Sequence, residues 1–281
     1  MTSPQYFIKS TNGSTADAQV HVTVQVDTNG VTVLRATEQA ALDLQYFKLD
    51  AADADQHLSD LEEILSTVAK NGIKTILFNG PESTLVPEEL YAEDISKEIT
   101  ALLHGDLSSG KVSSDHVAKW QLHNVYRISA GMQEFFQKNY PQAELQHFVS
   151  SWLGCMKREY AQTVFELIIH PSHFLVALIS DSKLQFLQRF VYESDEDLLF
   201  FLLTICRECD VDPAGADMRV SGFILDDSAL YFSLLKQFPK LKFWSPQLSV
   251  HTESQFPQHF FSPILNLSGC VSYQENLAED E

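Results

Sequence analysis

Valines at 20, 22, 24 and 26 alternate with His21, Thr23 and Gln25. A period of two predicts a β-strand with one buried face. Asp27-Thr28-Asn29-Gly30 follows, and because Asn and Gly tolerate positive φ the segment predicts a hairpin turn. Val31 to Ala36 returns as a second strand, and after a turn near Glu38–Ala41 a third runs from Asp43 to Leu49. Leu58, Leu61, Ile64, Leu65 and Val68 then fall at helical spacing, behind a cap at Asp53 or Asp55. Asn71-Gly72 closes that helix, and Lys74 to Phe78 forms a fourth strand stopped by Asn79-Gly80-Pro81.

The second half has the same pattern. Thr163 to Ile169 is an apolar strand, His170-Pro171-Ser172 its turn, and Phe174 to Ile179 the return. Asp181-Ser182-Lys183 turns into Leu184–Tyr192. Ser194 or Asp195 caps a helix over 195–209, Pro213 and Gly215 mark its exit, and Met218 to Ile224 is the fourth strand. Asp27 and His170 stand 143 residues apart, as do Leu44-Gln45-x-Phe47 and Leu187-Gln188-x-Phe190, while Asn79-Gly80 and Ser221-Gly222 are 142 apart. The shared order of turns, strands, helix and final glycine points to an internal duplication. A three-stranded meander followed by a helix crossing to a fourth strand opens the ribonuclease-H-like fold. Two such units in tandem are the architecture of actin, Hsp70 and sugar kinases, a step taken by fold-level analogy. The expected class is therefore α/β, two tandem ribonuclease-H-like (actin-like ATPase) domains, each opening β-β-β-α-β.

The remaining stretches complete the domain plan. Residues 1–18 read as a flexible lead-in, 19–160 as the first domain with helical additions, 161–274 as the second, and 275–281 as an acidic tail. Within 87–162 the pattern predicts a helix from Pro87 to Leu103, a Gly/Ser-rich loop from His104 to Ser114, and a strand from Leu122 to Ser129. A helix from Ala130 to Asn139, a short strand from Leu145 to Phe148 and a helix from Ser151 to Tyr160 follow. After Ile224 come a helix over 227–238 and a strand over 241–244.

Composition narrows the function. Hydrophobic content is 44% and charged content 20%, enough apolar residues for a packed core. Nineteen Lys and Arg stand against 38 Asp and Glu, a formal net charge of −19, which repels phosphate backbones and anionic lipid. Nucleic acid is therefore not an expected partner. No apolar run approaches the roughly 20 residues of a membrane span, and Met1 to Ser10 lacks a basic region leading into an apolar stretch. No membrane insertion and a cytoplasmic location are expected. Cys206 and Cys209 form a C-x-x-C, but at a helix C-terminus, where the dipole disfavours a thiolate. Cys155 and Cys270 are each alone, so the four cysteines read as structural.

Several segments are similar to an uncharacterised Bacteroidetes family, a domain of unknown function. They are Thr84-Leu85-Val86-Pro87, His123-Asn124-Val125-Tyr126-Arg127-Ile128, Leu184-x-Phe186 with Phe190-x-Tyr192-x-Ser194-x-Glu196-Asp197, and Val220-Ser221-Gly222. The resemblance spans about 80 to 225 and implies a bacterial protein with an actin-like ATPase fold, near the cell-division and pilus-assembly actin relatives, with no established activity.

Such a fold hosts its nucleotide in the cleft between the two units. The candidate cleft residues are Asp27, Thr28, Asn29, Gly30, His170, Ser172, Ser221 and Gly222. The first turn has an Asp able to position Mg²⁺ through water and a Gly one place late, although an ordinary Asn-Gly hairpin accounts for both. The second turn has no carboxylate and carries Pro171, which lacks the amide a phosphate needs. His170 and His173 suggest a metal or an acid–base pair, or surface polar residues. Ser221-Gly222-Phe223 keeps one glycine of an expected pair. A ribonuclease-H nuclease needs three or four gathered carboxylates, but Glu166 has no evident partner. Phe200 and Phe201 read as core of a helix buried all round. These features predict a pseudo-ATPase with no catalytic residues and no cofactor or metal, acting through a protein partner or self-association. The alternative is a divergent Mg-ATP-binding ATPase.

Overall fold

The computed structural model describes residues 4–9, 19–38, 40–49, 54–67, 72–105, 110–157, 160, 162–245, 248 and 256–267. The chain divides into two compact units: Met1–Cys155 with Leu248–Glu253 and Leu267–Glu281, and Met156–Gln247 with Ser254–Asn266.

In the first unit, β1 (Tyr6–Lys9), β2 (His21–Asp27), β3 (Gly30–Ala36), β4 (Ala41–Lys48), β5 (Ile73–Asn79) and β9 (Glu144–His147) form one sheet in the order β1-β4-β3-β2-β5-β9. The meander β2-β3-β4 is antiparallel, and β5 and β9 run parallel to β2. Val22, Val24 and Val26 of β2 and Val31 and Val33 of β3 pack against α1 (Ala54–Ser66) through Leu61, Ile64 and Leu65, and against α3 (Ala130–Asn139) through Met132 and Phe136. Alternation puts Thr23, Gln25 and Asp27 on the opposite face, yet these too are buried, so the strand has two covered faces rather than the expected one. A second, three-stranded sheet in the order β6-β8-β7 consists of β6 (Ser83–Pro87), β7 (Gly110–Val117) and β8 (Leu122–Ser129). α2 (Ser96–His104) and α4 (Phe148–Cys155) complete the unit.

The second unit repeats the plan with β10 (Val164–Ile169), β11 (His173–Ser180), β12 (Lys183–Val191), β13 (Asp217–Gly222) and β14 (Leu241–Phe243), ordered β12-β11-β10-β13-β14. Phe165, Leu167, Phe174, Val176 and Leu178 pack under α5 (Asp195–Glu208) and α6 (Ala229–Gln237). Ser194 caps α5 in a full capping box with Asp197, whose exposed carboxylate is held below the usual range by hydrogen bonds from the backbone of Glu193 and from Ser194. The register also repeats. Val31 faces Phe47 in the first sheet and Phe174 faces Phe190 in the second, each pair of positions 143 residues apart.

Four expected elements differ. Tyr6–Lys9 falls in the expected flexible lead-in but pairs with β4 as an edge strand; its four residues are too few for a periodic signal. The Pro87–Leu103 helix divides into the end of β6, a 3₁₀ turn at Glu88–Leu90, and α2. Pro87 is tolerated in a strand because β6 is an edge. The His104–Ser114 loop gives way to β7 from Gly110, a largely polar strand whose half-solvated face leaves no apolar alternation. α4 starts at Phe148 and ends at Cys155, earlier than expected. Asp53, Val68, Asn71, Cys270 and the 275–281 tail lie outside the described residues. Among the described residues no helix is long and apolar enough to cross a membrane.

Candidate functional site

The first hairpin is a two-residue loop. Asp27 pairs with Gly30, leaving Thr28 and Asn29 at the tip. Asp27 is buried at the end of β2, directly opposite Asn79 of β5, and Asn79 Nδ2 donates to Asp27 Oδ2 at 2.6 Å. The Thr28 hydroxyl stands 3.0 Å from Asp27 Oδ1 and 3.1 Å from Asn29 Oδ1. Neither Asn29 nor Gly30 has positive φ, so the expected reason for glycine does not apply. A Cβ at Gly30 would instead lie 2.6 Å from the Tyr46 ring. That ring stacks on Tyr6, and its hydroxyl donates to Asn29 O at 3.3 Å. Burial, with Asp27 and Tyr6 nearby, pushes the Tyr46 phenol well above its ordinary range. Gly30→Ala is therefore expected to cost about 1–3 kcal/mol through overpacking, measured by urea unfolding. An unchanged midpoint would show that the ring is free to move aside.

The second hairpin keeps the geometry of the first and changes its chemistry. His170 N donates to His173 O at 2.8 Å, so Pro171 and Ser172 occupy the tip where Thr28 and Asn29 stand in the first unit. At the 143-residue offset, Asp27 is replaced by His170 and Gly30 by His173. Pro171 has no amide and that of His170 is already engaged, so two of the four backbone positions of this turn offer no donor to a phosphate. The turn is braced by Tyr192, whose hydroxyl donates to His170 O at 2.8 Å and whose amide donates to Ser172 O at 3.3 Å. The histidines are not the expected surface pair. Both are buried, with rings stacked at a centroid separation of 4.3 Å and 8° between planes.

Ser221 and Gly222 end β13 beside that turn, with Gly222 directly opposite Ile169. Gly222 has φ 88°, and a Cβ there would lie 2.1 Å from the Ile169 carbonyl oxygen and 2.8 Å from its amide nitrogen. The structure thus explains this glycine by the approach of two strand backbones. It also corrects the sequence register. Opposite Val26, the position equivalent to Ile169, stands Phe78, so Gly222 corresponds to Phe78 rather than to Gly80.

Two buried polar networks escaped the sequence reading. Glu166 on β10, paired with Arg219 in register, accepts from Arg219 Nη1 at 3.2 Å and from the Tyr160 hydroxyl at 3.0 Å, while the guanidinium lies over the Tyr160 ring. These partners are a cation and a phenol, not a further carboxylate of the kind a two-metal nuclease site needs. Burial raises its pKa, opposed by Arg219 and by the hydrogen bond from Tyr160. In the first unit, Asp115 accepts from the His147 amide at 2.8 Å, the Ser150 hydroxyl at 2.7 Å and the Tyr126 hydroxyl at 3.1 Å. Burial raises its pKa against those three donors. The His147 ring receives the Val149 amide at Nδ1 and stands 3.4 Å from Gly80 O at Nε2. Ser, His and Asp meet here, but Asp115 bonds the histidine backbone rather than its ring, so the cluster caps α4 and is not a nucleophile triad. Neither network was legible, because each joins residues far apart in sequence.

The C-x-x-C reads as expected. Burial, with Cys209 and Asp212 close by, pushes the Cys206 thiol up to about 11, the reverse of an activated cysteine. Phe200 and Phe201 part company. Phe201 packs against Phe190 at 4.5 Å, but Phe200 is 66% exposed, so α5 is not buried all round.

Residues 11–241 match the model of a family described as "Protein of unknown function (DUF3822)". A Bacteroides thetaiotaomicron protein with an actin-like ATPase fold and unknown function matches at a TM-score of 0.74 and 13% identity, over 90% of this chain and 97% of that one. The PilM-PilN type IV pilus biogenesis complex matches at a TM-score of 0.58 and 10% identity, over 88% of this chain and 97% of that one. No curated protein matches the sequence. The fold is that of the actin-like ATPases, and identities this low carry the fold alone.

Proposed function

The chain belongs to the DUF3822 family, and on that premise we propose that it is a nucleotide-independent member of the actin-like fold that acts through a protein partner or self-association. The observation that carries this reading is the second hairpin. It retains the loop length and position of its counterpart, yet offers Pro171, an engaged His170 amide and no carboxylate. Gly222 is consistent with the same reading, since the approach of the Ile169 backbone accounts for this glycine without a ligand. ATP and Mg²⁺ do not fit this set of groups. Calorimetry of the purified protein with Mg-ATP is expected to give no binding heat and no phosphate release. Micromolar affinity accompanied by turnover would overturn the reading.

A divergent Mg-ATP-binding ATPase is the second reading, favoured by Asp27. Its carboxylate is held at a strand end by Asn79, and Asn79 Oδ1 is itself buried without a hydrogen-bond partner among the described residues. On that reading Asp27→Ala abolishes nucleotide binding, and an unchanged affinity in the variant removes it.

A further inference from the structure

The sheets of the two units differ at one edge. In the first unit β4 lies inside its sheet, because β1 pairs along it with Tyr6 facing Tyr46 and Ile8 facing Leu44. In the second unit the equivalent strand, β12, is the last of its sheet among the described residues. The backbone directions of the two strands agree. Leu49 N donates to Asn29 O at 2.9 Å, and Tyr192 N donates to Ser172 O at 3.3 Å, the same bond at the 143-residue offset. Backbone groups alternate in direction along an antiparallel strand. Phe186, Gln188 and Phe190 therefore bond β11, and Leu187, Arg189 and Val191 direct their backbone groups to the outer edge. Leu44 and Tyr46, which β1 covers, are the counterparts of Leu187 and Arg189.

The residues of β12 say which strand fits this edge. The outward carbonyl of Arg189 has the Gln188 side chain over it, with Nε2 at 3.3 Å, a side-chain amide where a further strand would bring a backbone amide. Val191, at the same edge, is 64% exposed. Phe186-Leu187-Gln188-Arg189-Phe190 reads nearly alike in both directions. Set antiparallel against itself with Gln188 facing Gln188, it brings Phe186 against Phe190 of a second copy and Leu187 against Arg189. Phe186 and Phe190 already stack on the core face, with ring centroids 6.2 Å apart. This register joins both pairs into one cluster of rings, and aromatic cross-strand pairs stabilise sheets. No charge directly faces a like charge, and Arg189 stands on the opposite face from the rings. Lys183 lies beyond the register irregularity at Leu178/Ile179, and these two features guard only the start of the strand.

We propose that β12 is a dimerisation edge, at which two copies of this chain pair β12 with β12, antiparallel about a twofold axis at Gln188, and join their second-unit sheets into one. The inference rests on the reading that the protein acts through a protein partner or self-association. It selects the second copy and names the surface.

Sedimentation of the full chain over a concentration series is expected to show a monomer–dimer equilibrium that strengthens as salt screens the net charge of −19. Gln188 is exposed, so Gln188→Lys and Gln188→Glu should keep the fold, with circular dichroism as the check. Each sets like charges face to face at the axis and is expected to weaken dimerisation about fivefold. An equimolar mixture of the two sets Lys opposite Glu and is expected to recover wild-type association or better. These signs are peculiar to the axis. Association governed by overall charge would be tighter than wild type in Gln188→Lys and weaker in Gln188→Glu, and that outcome overturns the proposal. Two variants that associate as the wild type does overturn it, as does a mixture without recovery. A wild type that stays monomeric at every concentration up to about 1 mM also overturns it, and leaves the reading of a different protein partner standing. Mg-ATP calorimetry tests nucleotide independence separately.

Discussion

Gly222→Ala is expected to destabilise the second unit by about 2–6 kcal/mol. About 1–3 kcal/mol comes from holding a residue with a Cβ at positive φ, and about 1–3 from forcing packed backbone apart. The geometry favours the upper part of this range. The new methyl carbon would lie 2.1 Å from the Ile169 carbonyl oxygen, and backbone cannot rotate aside as a side chain can. The Phe223 amide donates to that same oxygen at 2.8 Å, so relief by separating the strands also strains this bond. Domains of ordinary size are stable by about 5–15 kcal/mol, so the variant should lose much of its margin. Thermal and urea unfolding followed by circular dichroism measure the effect. An unchanged midpoint would mean that β10 and β13 approach each other less closely than described. Gly30→Ala is the internal comparison, since it meets an aromatic ring and should cost less.

Arg219→Met is the second large effect. Glu166 is buried to 2% exposure, and Arg219 is its only cationic neighbour among the causes that set its pKa. Breaking a buried pair from one side costs about 3–5 kcal/mol, because the remaining charge is left uncompensated. Arg219 is about a third exposed, so water shares in its role and the lower end, about 3 kcal/mol, is expected. The dependence on pH has a definite sign. Burial already raises the folded-state pKa of Glu166, whereas an unfolded glutamate titrates near ~4.3. A raised folded pKa contributes stability below the unfolded value, and that contribution is lost as pH rises through the folded value. Removing Arg219 raises the folded value further. The variant should therefore come nearest the wild type in acid and fall furthest behind it at neutral pH. Glu166→Gln combined with Arg219→Met should recover most of the loss, since it leaves no buried charge. A deficit independent of pH, or a double variant as weak as the single, would refute this account.

The architecture was largely readable along the chain. Val20 to Val26, the hairpin at Asp27–Gly30 and the helix behind Ser194 each carry their signal locally, in period, turn chemistry or capping. Elements with weak local signal were missed. β1 has only four residues and β7 is mostly polar. The candidate site divides in the same way. That the second turn contains proline and no carboxylate is visible in His170-Pro171-Ser172-His173 itself. That both histidines are buried is not, because burial depends on what other parts of the chain bring against them.

Residue chemistry at each turn was thus determined by the sequence alone, including the proline and the absent carboxylate of the second hairpin on which the proposed function rests. Tertiary structure decided which atoms stand next to those residues. Gly222 looked like half of a ligand-binding pair and is a contact between strands. Gly30 looked like a turn glycine and makes room for Tyr46. Glu166 showed no ion pair in the local sequence and is paired with Arg219 across the sheet. In each case the deciding neighbour lies at least 16 residues away in the chain. Local pattern reports the preferences of a segment's own backbone, whereas strand register fixes what meets it across space.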